Sequence, residues 1–85
     1  MTLEELRAIK LTYTFGYSAD THALRQYQNT EHRICKQVYT PRSKRSGRWG
    51  AGRVAYMLTD TRQEFTTLDE LLEGINRREA SAGKL

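Results

Sequence analysis

The residues best equipped for chemistry in this chain are the cations between His32 and Thr59. Arg33, Lys36, Arg42, Lys44, Arg45, Arg48 and Arg53 all fall there, and the same stretch holds no Asp or Glu. The acids lie outside it: Glu4, Glu5, Asp20 and Glu31 before, and Asp60, Glu64, Asp69, Glu70, Glu73 and Glu79 after. A surface kept soluble by charge intersperses both signs, whereas a segregated strip presents one sign to a partner. Guanidinium groups match phosphate geometry bidentately, and each phosphate neutralised on duplex DNA contributes ~0.9 to the salt dependence of binding. Tyr39 and Trp49 flank the densest part of the run, and aromatic faces stack on exposed bases. Arg33, Lys36, Tyr39, Arg42, Lys44, Arg45, Arg48, Trp49 and Arg53 therefore form the candidate nucleic-acid-binding set, with DNA ahead of RNA as ligand.

Catalytic chemistry has little to build on. Asp60 and Glu64 flank a turn, as carboxylates that share a metal do, but no third carboxylate or lysine follows at an interpretable spacing. Their simpler role is turn formation and charge at a strand edge. His32 and Cys35 would point to opposite faces of a strand, and on a helix they would adjoin without a third orienting group. His22, His32 and Cys35 give a tetrahedral zinc site little to work with; a cluster of the three is conceivable, but three ordinary surface or core residues are the better reading. Gly47, Gly50 and Gly52 are not followed by Lys-Ser or Lys-Thr, so there is no phosphate-cradling loop of the P-loop type. The expectation is a protein that is not an enzyme, with no cofactor and no metal. A single cysteine excludes an internal disulfide and fits a reducing compartment. No apolar run approaches the ~20 residues that span a bilayer, and no signal-peptide pattern opens the chain. Cytoplasmic placement follows as an expectation.

The elements that must position these residues can be read from periodicity. The chain has 85 residues and a net charge of +4, which suits one domain with a modest core. Residues 1–79 read as that domain and 80–85 as a frayed tail. Thr2 and Glu5 form a capping-box pattern, with Leu3 and Leu6 facing inward from a short helix. Leu11, Tyr13, Phe15 and Tyr17 alternate with polar residues, which argues a half-buried strand over about 9–17. Ser18, Asp20 and Thr21 offer a helix start, with Ala23, Leu24 and Tyr27 at helical spacing and Asn29-Thr30 as the stop. The segment from Ile34 to Tyr39 fits either a helical face or a strand, and its β-rich run into Pro41 favours the strand. Pro41 to Gly52 is an exposed, flexible basic loop, with Gly50 and Gly52 at a bulge or close backbone approach. Trp49 to Leu58 follows as a strand, then a turn at 60–63 and a short strand at 64–66. Thr67 and Glu70 cap a closing helix through Leu68, Leu71, Leu72 and Ile75 that decays at Asn76-Arg77-Arg78. The expected fold is α+β: a three- or four-stranded antiparallel sheet with helices packed on one face and a basic hairpin loop.

The order from Arg33 to Ile75 is a basic strand, a small-residue turn bearing Trp49, a second strand, a short third strand and a packing helix. It is similar to small three-stranded DNA readers of the AP2 type and to the amino-terminal arm-binding domains of some integrases. That resemblance covers about half the chain and rests on few residues; the first helix and strand have no counterpart in it. It implies a sheet that lies in the major groove with its basic residues on bases and phosphates.

The reading that results is a small, non-catalytic nucleic-acid-binding protein that contacts the phosphate backbone through a basic hairpin loop. A second reading is an accessory or inhibitor acting on a larger protein or nucleoprotein complex, of the phage or plasmid kind that includes anti-CRISPR proteins. There the arginines meet acidic protein surface or backbone within the complex. The acids of the last helix also suit the basic hairpin of another copy, which would make a homodimer.

Overall fold

Local sequence explains the first element directly. The Thr2 hydroxyl accepts the Glu5 N–H at 3.2 Å and the Glu5 carboxylate accepts the Thr2 N–H at 3.3 Å, closing a capping box on α1 (Leu3–Ala8). In the computed structural model, which describes residues 1–82, five strands and a second helix follow. They are β1 (Thr12–Ser18), β2 (His22–Asn29), β3 (Ile34–Pro41), β4 (Arg53–Leu58), β5 (Glu64–Phe65) and α2 (Leu68–Ala82). The fold is α+β, and the strands form one antiparallel sheet in the order β1-β2-β3-β4-β5.

Two expectations are corrected here. The sheet has five strands, not three or four, because the segment expected to be a helix after Ser18 is β2. Ala, Leu, Arg and Gln favour a helix locally, yet β2 pairs residue by residue with β3 from His22↔Pro41 to Asn29↔Ile34. It also pairs with β1 on its other side. A strand bonded on both edges satisfies its backbone through neighbours distant in sequence, and that overrides weak helix propensity. Leu24 and Tyr27, three apart, consequently face opposite sides of the sheet.

The ladder fixes those sides. Tyr13, Gly16 and Ser18 of β1 share one face with Ala23, Arg25 and Tyr27, with Lys36, Val38 and Thr40, and with Val54, Tyr56 and Leu58. Phe15, Tyr17, Leu24, Gln26, Cys35, Gln37, Tyr39, Arg53, Ala55 and Met57 share the other. A bulge between Tyr13 and Phe15 re-aims the outer strand, and there the Thr14 hydroxyl donates to the Gln26 carbonyl at 3.1 Å.

The core occupies one end. Leu6, Ile34, Leu58, Leu71 and Ile75 form the buried cluster, flanked by the partly buried Ile9, Leu11, Tyr56, Phe65, Leu68 and Leu72. Gly74 lets the Phe65 ring lie against the helix backbone, since a Cβ there would collide with the ring carbons. α2 starts with the Thr67 hydroxyl accepting the Glu70 N–H at 3.2 Å. It continues to Ala82, past the expected decay at Asn76–Arg78; the remainder of the expected tail, 83–85, lies outside the described residues. Arg78 explains the extension. Its guanidinium donates to the His32 carbonyl at 2.8 Å and to Asp60 at 3.2 Å, tying the helix to two turns.

Beyond that end the sheet runs on without a core. No residue from 36 to 57 is buried, and all seven residues of β1 are exposed. The molecule measures 55 × 22 × 21 Å with a radius of gyration of 15.2 Å, against about 12 Å for an equally long compact chain. No helix among the described residues is long and apolar enough to cross a membrane.

Candidate nucleic-acid interface

The meander brings the start of β2 and β4 and the end of β1 and β3 to one end, the tip, opposite the core. The loop between β3 and β4 is held by internal hydrogen bonds. The Gly47 N–H donates to the Ser43 carbonyl at 2.7 Å and the Ser43 N–H to the Arg48 carbonyl at 2.9 Å. Gly47 adopts a φ of 71°, a left-handed geometry that costs glycine nothing. Arg42 and Trp49 face each other as an isolated bridge, and the Gly50 N–H donates to the Pro41 carbonyl at 2.8 Å. Gly50 is a true close approach, since a Cβ would stand 3.2 Å from the Pro41 ring. Gly52 has ordinary clearance, and the ladder resumes only at Arg53.

Arg42 is partly spent on this architecture. Its Nε donates to the Gly47 carbonyl at 3.0 Å, and its guanidinium lies 5.1 Å from the centre of the Trp49 ring. The Arg42 N–H also donates to the Thr21 carbonyl at 2.8 Å, joining the loop to the β1–β2 turn. Lys44, Arg45, Arg48 and Arg53 are exposed and have no ion-pair partner among the described residues. Asp20, in the β1–β2 turn, is the acid nearest this end in the chain's layout.

The other sequence-derived residues are dispersed. Arg33 sits where β3 begins, about 25 Å along the strand from Pro41 at the usual strand rise. It adopts a left-handed φ of 56° and pairs with Asp60 at 3.4 Å, within the core-end cluster that includes Arg78. Lys36 is half-buried midway along the sheet, 6.0 Å from the centre of the Tyr27 ring. Tyr39 and Arg53 are partners on one face, whereas Trp49 lines the other, so the two aromatics do not flank one common surface. Tyr39 stacks on His22, with ring centres 5.3 Å apart, and His22 meets the Tyr17 hydroxyl at 2.9 Å.

One residue escapes sequence reasoning. Arg25 stands on the same face as Lys36 and lines an open cleft of about 310 Å³ with Ser18, Ala23, Val38, Thr40 and Trp49. It lies before the acid-free run, on a segment with helical spacing, so nothing in the sequence joins it to Trp49.

The remaining chemical candidates are separated or occupied. Asp60 is held by Arg78 and Arg33, and its carboxyl feels two opposed influences. Burial pushes it up, while the Arg78 hydrogen bond and charge, a backbone donor and the Arg33 charge outweigh that and hold it below the usual range. Cys35 is 1% exposed, and burial pushes its thiol up against a smaller opposing effect from the Gln28 side chain. Among the described residues no three His, Cys, Asp or Glu side chains gather as metal ligands would. No family model, curated protein or solved structure matches the chain.

Proposed function

We propose that this protein binds nucleic acid without catalysis, contacting phosphate backbone through the tip of its sheet. One observation carries the reading: Lys44, Arg45, Arg48 and Arg53 gather at the tip without ion-pair partners among the described residues and with Asp20 as the nearby acid, while toward the core end Arg33, Arg77 and Arg78 are paired with acids and the unpaired Arg7, Lys10 and Arg62 are spread over separate elements. Cations left unpaired at one end attract a polyanion at long range and release its counterions on contact. On this reading α1 and α2 cover the face that carries Ile34 and Leu58, anchoring the sheet so that the tip projects. Arg33 drops out of the contact set, Lys36 becomes peripheral, and Arg25 joins.

Because Arg42 also braces the loop, the clean test replaces Lys44, Arg45 and Arg48 together with alanine. Titration of labelled duplex DNA, single-stranded DNA and RNA over several salt concentrations should show weaker binding. On duplex DNA the salt slope should fall by about 2.7, from ~0.9 per lost contact. Thermal unfolding should hardly move, since these side chains are exposed. Unchanged affinity and slope at matched salt would show that the tip is not the contact surface. A partner-directed inhibitor would instead leave naked nucleic acid unshifted near physiological salt and co-purify with a specific protein.

A further inference from the structure

The cleft beside Trp49 has a construction that phosphate contact alone does not require. Its floor is two rows across three strands: Ser18–Ala23–Thr40, and Arg25–Val38 with Gly16 opposite Arg25. The first row is made of short side chains, so the floor is low where the indole stands up as a wall. Gly16 is covered by the Tyr13 hydroxyl: a Cβ there would lie 2.6 Å from that oxygen and 2.9 Å from the Leu24 carbonyl oxygen, with Arg25 Cγ in ordinary contact at 3.4 Å. Trp49 is fixed by its bridge to Arg42 and the adjoining Gly50–Pro41 hydrogen bond, yet remains 49% exposed. The Arg42 guanidinium, 5.1 Å from the centre of the ring, adds positive charge beside a flat apolar surface.

We propose that this cleft is a slot for one unpaired nucleotide, which makes single-stranded nucleic acid the ligand class of the tip. The inference rests on the nucleic-acid reading above and narrows it. A base slides flat against the indole, the Ser18 and Thr40 hydroxyls meet its polar edge, and Arg25 meets the adjoining phosphate. The open cleft, of about 310 Å³, lies at the lower end of small-molecule sites and has room for one base. A base inside a duplex has both faces stacked and its edge paired, so it must be extruded before it can enter. The lining contains no carboxylate that would repel the phosphate.

Trp49 is the only tryptophan, so its emission reports on the cleft directly. An eight-nucleotide single strand and a blunt hairpin duplex of the same sequence are titrated against the intact chain at one salt concentration. The single strand should bind about 10-fold more tightly and quench Trp49, the scale of one base–aromatic stack. Ala23→Leu fills the floor without changing charge and should abolish that preference and the quenching while leaving duplex affinity as it was. Trp49→Phe, followed by anisotropy of the labelled strand, should retain part of the preference. Equal affinity for both ligands with unquenched Trp49, or Ala23→Leu binding the single strand as the parent does, overturns the slot and leaves backbone contact standing. Failure of both ligands to bind overturns the tip reading itself.

Discussion

At the scale of single residues, Arg78 does the most. Its side chain is 15% exposed and holds the His32 carbonyl and Asp60 together beneath the far end of α2. Arg78→Ala should lower stability by about 1.5–3 kcal/mol, the usual worth of hydrogen bonds to charged groups, read from denaturant midpoints at unchanged m-value. Asp60 gives the same cluster a pH signature. Its carboxyl titrates lower in the folded chain than the ordinary 3.8, so its contribution is present above that value and disappears as pH falls through the folded one. Thermal melts of the wild type and Asp60→Asn from pH 6 to pH 2 should therefore converge at the acid end. A gap that stays constant over that range would show that Asp60 acts by its shape and not by its charge.

At the scale of elements, the telling contact is β5 against α2. Gly74 in a helix interior is unfavourable by ~1 kcal/mol relative to alanine, so Gly74→Ala should stabilise an isolated helix. Here the added methyl meets the Phe65 ring, and overpacking of that kind typically costs ~1–3 kcal/mol. The variant should melt lower than the parent, by a few degrees, whereas Gly74→Ala with Phe65→Leu should recover part of the loss. Gly74 sits in the best-patterned helix of the sequence, where Leu68, Leu71, Leu72 and Ile75 made the element legible, yet nothing in the pattern shows that the glycine accommodates a ring. The capping box of α1, the Thr67 cap of α2, the strand into Pro41 and the turn at 60–63 were equally legible, because each depends on residues within five positions of one another. β2 was not. Its residues satisfy helical spacing and helical propensity, and only the partners Ile34–Pro41 and Thr12–Ser18 decide otherwise. The candidate site divides the same way: the cations of the loop are contiguous and readable, while Arg25 reaches Trp49 only through strand register.

At the scale of the whole molecule, the core sits at one end of a 55 Å body. Strand amides near the tip, at 23–25 and 38–40, should exchange with solvent on the order of 10-fold faster or more than those at 34–35 and 56–58, as measured by native-state hydrogen exchange. Uniform protection along β2 and β3 would mean that the sheet opens only as a unit. The same layout bears on how such a chain can change over generations. Substitutions that ruin a compact protein do so because contact residues and core residues share neighbours. Here the loop side chains from Ser43 to Arg48 lie a strand's length from Leu58 and Ile75, so mutations there are filtered for what the tip holds and hardly at all for whether the chain folds. Descendants of one ancestor should therefore differ most at Lys44, Arg45, Ser46 and Arg48 while keeping Gly47 and the same sheet, and a loop grafted from one into another should carry its strength of backbone contact with it but leave the cleft's preference behind.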